Sequence, residues 1–430
     1  MNILNLNLPR CHFHTLIELA NSGHTVYSNY RDTNEYESSL GINPLSKKEN
    51  NKLFELSYFE HDSMTKEQEL QFKKEKRMTT ITFIEELINK YNIDILQVCI
   101  PELGYLHTYF KDKIKYIGPT EESSRLETDK LYAKDIAKQL GIKVPNIIKH
   151  GKYKDEDYCK DLSFPCVEKT SHLWNPAIVI NNKEDIAVLK RLVKNQHWPR
   201  NINADYYIEE YLHDIIETNL FFVISNGEYA ITHTQVIRGE GLNKTVIPQV
   251  WYFDTSIQPL SPSVDAVVRQ EAGKYLEHIA KMGGSWEGSF CGAYTSKGEW
   301  NFLEINVRPD IFNSTPTFMT GDEYLKGMFE DVTLFEKAWE NKICDKHLIT
   351  TDDCKNEYPI HLHDKYNVAY PNNLVITDNK YYISNYGVSH LSDRGTVVAD
   401  HNIPKQFLKE VEETTVWKFN RDPLEWSAAA

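Results

Sequence analysis

No apolar run in the 430-residue chain approaches the roughly 20 residues that a membrane-spanning helix needs. Residues 3–8 read as a strand, not as a basic segment leading into a long apolar one, so no secretory signal is expected. Cys-x-x-Cys pairs are also missing. The seven cysteines lie scattered at positions 11, 99, 159, 166, 291, 344 and 354, and an odd, dispersed set predicts reduced thiols in a cytoplasm-like compartment. Positive charge is scarce: 48 Lys and Arg face 62 Asp and Glu, a formal net charge of −14. That balance argues against a nucleic-acid-binding surface and still permits a local basic pocket. The turn after the first strand has no Gly-x-Gly-x-x-Gly, which disfavours a dinucleotide site of the usual kind. No internal repeat or low-complexity tract is evident.

What remains is a globular composition, 41% hydrophobic and 26% charged, in a chain too long for one ordinary core. The opening pattern predicts a βαβ unit, with Cys11, His12 and His14 in its turn as ordinary side chains at the mouth of a sheet, within reach of a substrate. Residues 47–77 look like a charged surface excursion with a helical part. A helix at 80–91, strands at 93–100 and 115–117 and a short helix at 105–110 complete an open α/β domain ending near residue 118. A helix then follows from the spacing of Ala133, Ile136, Ala137 and Leu140, stopped by Gly141 and with Lys130 near its start. Strands are predicted at 164–170 (carrying Lys169) and 206–212, with helices at 183–194 and 261–281. Asn226-Gly227 and Lys297-Gly298 predict two hairpins. Beyond about residue 330, strands are expected at 375–383 and 396–399 and a helix at 404–412. His361 and His363 share a strand face, without further ligands at useful spacing.

The most informative stretch is Trp-Asn-Phe-Leu-Glu-Ile-Asn-Val-Arg-Pro-Asp at 300–310. As a regular strand it turns Leu303, Ile305 and Val307 to one face and Phe302, Glu304, Asn306 and Arg308 to the other. A carboxylate beside an amide oxygen suits a hard cation such as Mg²⁺, usually shared with substrate phosphates. An arginine one pleat on can grip a phosphoryl or carboxylate group with two prongs. The same alternation also fits a half-exposed strand with a solvated face.

Gly118-Pro119-Thr120, Asp129-Lys130, Lys169 on a strand, Ile208 to Leu212 and Leu303 to Arg308 together resemble, in order and spacing, the ATP-grasp ligases. Within these the similarity is greatest to the phosphoribosylamine–glycine ligase branch, over roughly residues 90–310. The resemblance implies a mixed α/β and α+β architecture. An N-terminal open α/β (pre-ATP-grasp) domain would cover 1–118. Two α+β lobes would hold the nucleotide at 119–330, the smaller at about 131–205, and a small α+β part would follow at 331–430. It implies an ADP-forming carboxylate–amine ligase with ATP and Mg²⁺ as cofactors, acting on a small-molecule carboxylic acid and an amine as a monomer or homodimer. In its terms Lys130 and Lys169 reach ATP phosphates, Glu209, Glu210, Tyr211 and Leu212 line the adenine, and Glu217 lies near the ribose. Glu304 and Asn306 hold Mg²⁺, and Arg308, with Lys169, acts on the reacting phosphoryl group. Three features depart from the pattern. Residues 171–176, the expected lid, read Ser-His-Leu-Trp-Asn-Pro where relatives have a glycine-rich loop. Counting back from Glu304 places Gly292 where many relatives carry a second acidic ligand. The first domain lacks the glycine-rich opening of the true glycine ligase. Other acceptors, as in thiol ligation or phosphoryl transfer, or a nucleotide-binding module without catalysis, are the alternatives.

Overall fold

The computed structural model describes residues 1–6, 13–29, 42–57, 66–154, 156–170, 177–194, 202, 204–238, 254–258, 260–309 and 319–340, with four short strands between 374 and 420. Cys11, His12, residues 171–176, His361, His363 and the helix expected at 404–412 lie outside these residues, as does the side chain of His14.

The first unit is a parallel sheet: β1 (Asn2–Leu6), α1 (Phe13–Asn21), β2 (Thr25–Ser28), β3 (Ile42–Pro44), α2 (Lys47–Ser57), α3 (Lys66–Tyr91), β4 (Ile95–Val98), α4 (Leu106–Phe110) and β5 (Lys115–Ile117), in the order β3-β2-β1-β4-β5. Both faces are covered, which explains the near-continuous apolar strands. Ile3 and Ile95 pack with Leu16 and Leu19 of α1, whereas Leu4, Leu6, Leu96 and Val98 pack with Ile81, Ile84 and Leu87 of α3. The excursion at 47–77 is therefore two helices, the second continuous with the one expected at 80–91. Strand order reverses between β1 and β4, and crevices at the carboxyl ends of strands beside such a reversal are where open α/β sheets bind ligands.

Gly118-Pro119-Thr120 makes the exit from this sheet. A Cβ on Gly118 would lie 2.8 Å from the Val98 carbonyl oxygen, so only glycine allows the approach. Thr120 and Ser123 then form a capping box on α5 (Glu121–Thr128), and Asp129 caps α6 (Lys130–Gln139) through the Tyr132 amide. Next comes a four-stranded antiparallel sheet of β6 (Ile147–Lys152), β7 (Cys166–Thr170), β8 (Ile178–Ile180) and β9 (Asp205–Glu210), ordered β6-β9-β7-β8, with α7 (Lys183–Lys194) against it.

The third sheet holds β10 (Ile215–Ser225), β11 (Glu228–Arg238), β12 (Asp254–Gln258), β13 (Ser285–Thr295) and β14 (Trp300–Asn306), antiparallel in the order β12-β11-β10-β13-β14. Asn226 and Gly227 turn the first hairpin with φ of 51° and 84°, the left-handed pair that such a turn requires. Helix α8 (Pro262–Ala280) packs beneath it on Phe222, Phe290 and Phe302. Two more helices, α9 (Gly321–Phe329) and α10 (Thr333–Glu340), wedge between this sheet and the first, so that Val223, Tyr324 and Met328 share a core with Ile3 and Ile95. Further on, 374–377 pairs antiparallel with 380–383, and 396–398 pairs parallel with 418–420. The extended stretch expected at 375–383 is thus divided between two paired strands. Among the described residues no helix is long and apolar enough to cross a membrane.

One detail corrects the expected alternation of β14. The ladder pairs Cys291 with Glu304 but Gly292 with Phe302, leaving Leu303 as the extra residue of a β-bulge. Phe302 therefore turns inward with Ile305 and Val307, fully buried and stacked on Tyr275 at 5.0 Å, while Leu303 is only half-buried. Burying a phenylalanine in this way contributes about 1.5–3 kcal/mol. The bulge also places Cys291, not Gly292, across from Glu304. Gly292 has a steric role instead, because a Cβ there would run into the indole of Trp300. That indole is 2% exposed and donates to Thr218 Oγ1 at 2.9 Å. Gly292→Ala should cost about 1–3 kcal/mol of stability, read as a lower urea midpoint with an unchanged slope. An unchanged midpoint would show that the indole moves aside freely.

Candidate active site

Past its bulge, β14 returns to strict alternation, so Glu304, Asn306 and Arg308 project from one face while Ile305 and Val307 anchor the other. Glu127, in the last turn of α5 and 2% exposed, fixes the end of this strand. One carboxylate oxygen accepts from the Val307 amide at 2.6 Å and the other from Arg308 Nε at 2.9 Å. Arg308 also donates to Asn306 Oδ1 at 3.3 Å, and Asn306 Nδ2 donates to Ser289 Oγ at 3.0 Å. With both neighbours engaged, the guanidinium and the amide are oriented before any ligand arrives.

Charges converge on this face from three elements. Helix α6 starts with Lys130, whose ammonium lies 2.8 Å from Glu304 Oε2. One turn later Lys134, 1% exposed, reaches Glu209 Oε2 at 2.9 Å. Lys169, on β7, meets the other oxygen of Glu209 at 2.8 Å. Glu209, on β9 and 2% exposed, thus sits between two ammonium groups. The result is a cluster of three lysines and two carboxylates on the seam between the four-stranded sheet and β14. Glu217, half-buried on β10, adds a third carboxyl within the electrostatic reach of Lys169 and Glu304.

Desolvation opposes the charges of Lys134, Lys169, Glu209, Glu217 and Glu304, and the pattern of pairing decides which survive. Burial works against ionised Glu304, yet Lys130 and Lys169 outweigh it and hold its carboxyl down to about 2. Glu209 is likewise lowered against its burial by Lys134 and Lys169. Burial wins at Lys134, which falls to about 8 although Glu209 resists. It wins also at Glu217, pushed up to about 7 against the help of Lys169 and with the nearby charge of Glu304 adding to the rise.

Ionised Glu304 and the Asn306 side-chain oxygen are hard donors on one strand face and fit Mg²⁺. This ion commonly takes one or two carboxylates and completes its shell with water and phosphate oxygens. Among the described residues there is no group of three or more His, Cys, Asp or Glu placed to hold a metal. The stretch 209–212 divides its roles. Glu209 is committed to the lysines, whereas Glu210 faces outward and its carboxylate accepts from the Asn146 amide at 2.8 Å. Tyr211 and Leu212, half-buried just beyond β9, leave backbone groups outside the ladder.

The structure brings Lys130, Lys169, Glu209, Glu217, Glu304, Asn306 and Arg308 near one another, with three residues beside them that the sequence reading did not name. Lys134 was legible, standing four positions after Lys130 beside the apolar positions of the same helix. Glu127 carries no signal of its own, because its partner is 181 residues away in sequence. Cys291 is hidden by the bulge.

No family profile and no curated protein matches the chain, but solved structures do. The chain is similar to phosphoribosylamine–glycine ligase from Thermotoga maritima, at 14% identity over 78% of this chain and 76% of that one, with a TM-score of 0.50. It is similar to L-amino acid ligase from Bacillus licheniformis, at 12% identity over 79% and 73%, with a TM-score of 0.50. A third similarity is to the biotin carboxylase domain of Hydrogenobacter thermophilus 2-oxoglutarate carboxylase, solved with MgADP, ADP and bicarbonate, at 13% identity over 79% and 69%, with a TM-score of 0.51. Identities this low speak to architecture alone. The chain has the ATP-grasp fold, as the order of its motifs predicts.

The charge cluster leads to two expectations. Glu209→Gln leaves two buried ammonium groups without their shared carboxylate and should cost about 3–5 kcal/mol in denaturant unfolding; a loss below 1 kcal/mol would mean that the lysines find other partners. Glu217, with its folded pKa raised, keeps a proton that the unfolded chain releases above about 4.5. Its contribution to stability is complete below that pH and lost as pH rises toward 7. Stability should therefore decline between pH 5 and about 7, and Glu217→Gln should flatten part of that decline in pH-dependent urea titrations.

Proposed function

We propose that the protein is a Mg²⁺- and ATP-dependent ligase that joins a carboxylate to an amine through an acyl-phosphate, releasing ADP and phosphate. The observation that carries this reading is the concentration of Lys130, Lys134 and Lys169 around Glu209 and Glu304. It is a buried, net-positive cluster in a chain whose overall charge is −14. Such a cluster adds little stability as a core, since replacing buried ion pairs with apolar residues is often neutral or stabilising. It does suit a polyphosphate, and the ATP-grasp fold places it between two sheets.

In this reading Lys130 and Lys169 approach the phosphates from opposite sides, α6 and β7, each held ready by a carboxylate. The backbone at Glu210 and Leu212, with Tyr211, lines the adenine, and Glu217 stands on the ribose side. Glu304 and Asn306 would hold Mg²⁺, which when bound supplies charge neutralisation across the outer phosphates. Arg308, braced by Glu127 and Asn306, grips the transferring phosphoryl or the acid. A substrate carboxylate oxygen bonds to the γ-phosphorus as ADP departs. The amine nitrogen then bonds to the acyl carbon, phosphate leaves with the electron pair, and the nitrogen gives up a proton. Positioning and preorganised charge supply the acceleration, with no covalent intermediate on the protein. Residues 1–118 are read as the substrate-facing domain, 119–330 as the nucleotide lobes (131–205 the smaller), and 331–430 as a C-terminal α+β part.

Product analysis with candidate acids and amines tests the reaction: ADP and phosphate should appear with the ligated product, and AMP with pyrophosphate would sink it. Turnover with a thiol or hydroxyl acceptor alone would reassign the acceptor. Glu304→Gln should abolish ligation and raise the Mg²⁺ requirement. Arg308→Lys keeps charge but loses the fork, and should lower turnover by on the order of 100-fold with little change in ATP affinity. Normal turnover of Glu304→Gln at low Mg²⁺ would remove that residue from metal binding.

A further inference from the structure

The bulge in β14 has a chemical result on the sheet face opposite the aromatic core. Beside the bulge, the ladder sets Cys291 of β13 level with Glu304 of β14. On the other side of β13, Asn219 of β10 stands level with the same cysteine. Residues directly opposite in an antiparallel ladder point to one face, with Cβ atoms about 4.5–5.5 Å apart. Phe290 and Ile305, the adjoining pair, point the other way into the core. Asn219, Cys291 and Glu304 therefore form a row across three neighbouring strands, and all of them face the lysine cluster's side of the sheet.

Each member of the row carries an atom that can ligate a metal. Lys130 engages Oε2 of Glu304, which leaves Oε1 for another partner. Cys291 is a half-buried thiol outside any disulfide. It lies within the electrostatic reach of the Lys169 ammonium, and a nearby ammonium favours the thiolate. Asn219 is 1% exposed, and its side-chain oxygen is buried without a hydrogen-bond partner. Buried acceptors are ordinarily matched, so this oxygen marks a place where something outside the chain bonds.

The donor set differs from one that a hard cation selects. Mg²⁺ takes oxygen ligands, whereas a thiolate draws Zn²⁺ and ions like it, with carboxylate oxygen as a common companion. Bonds of about 2.3 Å to sulfur and 2.0–2.2 Å to oxygen put the two ligand atoms about 3.6 Å apart around a tetrahedral ion. Side chains level on adjacent strands span that separation with no shift of the backbone. The strand that carries Cys291 is paired on both edges, by β10 and β14, so the sulfur is presented from a fixed position.

We propose that Cys291 and Glu304 together ligate a divalent cation of the Zn²⁺ class, with Asn219 Oδ1 as a third donor. The carboxylate that serves Mg²⁺ in the ligase reading is then shared with a thiophilic ion, and the two metals compete for it. The competition rests on that reading; the binding of the thiophilic ion does not. Cys291 sets the metal preference of the site, since without its sulfur the row offers only hard oxygen donors.

Co²⁺ is the probe, because a thiolate ligand gives it a charge-transfer absorption in the near ultraviolet. It would be added to the reduced full chain, alone and with ADP. The expected result is a band that saturates at equimolar Co²⁺, is displaced by Zn²⁺ and is bleached by excess Mg²⁺. Cys291→Ser should abolish the band and weaken Co²⁺ binding by at least about tenfold. Glu304→Gln should weaken that binding comparably, and Cys291→Ala serves if Cys291→Ser fails to fold. No band with the wild type, or a band that survives loss of Cys291, overturns the site. ADP-forming ligation with Mg²⁺ would in that case leave the ligase reading intact. A band that depends on Cys291 but not on Glu304 also overturns it, because the ion would lie elsewhere. A band that excess Mg²⁺ leaves untouched overturns the competition. If the band needs both residues and no acid and amine yield ADP, the metal site stands and the ligase reading falls.

Discussion

Two carboxylates, Glu209 buried and Glu304 half-buried, holding three ammonium groups are the constraint on which the rest of the molecule depends. Glu209 joins β9 to both β7 and α6 through Lys169 and Lys134, and Glu304 joins β14 to α6 through Lys130. Every one of these groups would be better solvated in water, and their mutual attraction only approximately balances that loss. Buried ion pairs of this kind add little to stability and much to geometry. Each tolerates only arrangements in which all its partners are present, so two sheets and a helix of separate origin are held in one relation. The apolar cores do the stabilising on either side, with Phe222, Phe290 and Phe302 beneath β14 and Ile178, Tyr206 and Ile208 within the four-stranded sheet.

The aim of β14 depends on a second, smaller device. Without the bulge at Leu303, a regular strand would carry Phe302 and Glu304 on one face and drive the aromatic ring into the charge cluster. One inserted residue moves the ring into the core and keeps the carboxylate outside it. Glu127 then closes the far end by taking both the Val307 amide and the Arg308 side chain. Bulge and clamp together set the direction of three consecutive functional side chains.

How much of this was legible in the sequence follows from the range of each interaction. The strand and helix periods and the Asn226-Gly227 and Lys297-Gly298 turns are local, and they place most of the longer elements, whereas β3, α5, β6, β8, β12, α9 and α10 were not read from the sequence. The cluster of Lys130, Lys169, Glu209, Glu304 and Arg308 was legible only through the order of weak motifs, since no one of them is specific. The bulge was not legible, because a period-2 pattern looks the same until the partner strand reveals that Gly292 must stay close to Trp300. Glu127 was not legible either: its partners lie 180 and 181 residues away, and nothing in its immediate neighbours marks it.

The positive charge of the site follows β14. Around Glu304 the lysines outnumber the carboxylates, three against two, with Glu217 pushed toward its neutral form. At Arg308 the guanidinium is bound to Glu127, and burial raises the carboxyls of both Glu127 and Glu102 toward their neutral forms. A polyanion is therefore drawn along this face, and the net charge of −14 over the whole chain keeps that attraction confined to its pocket.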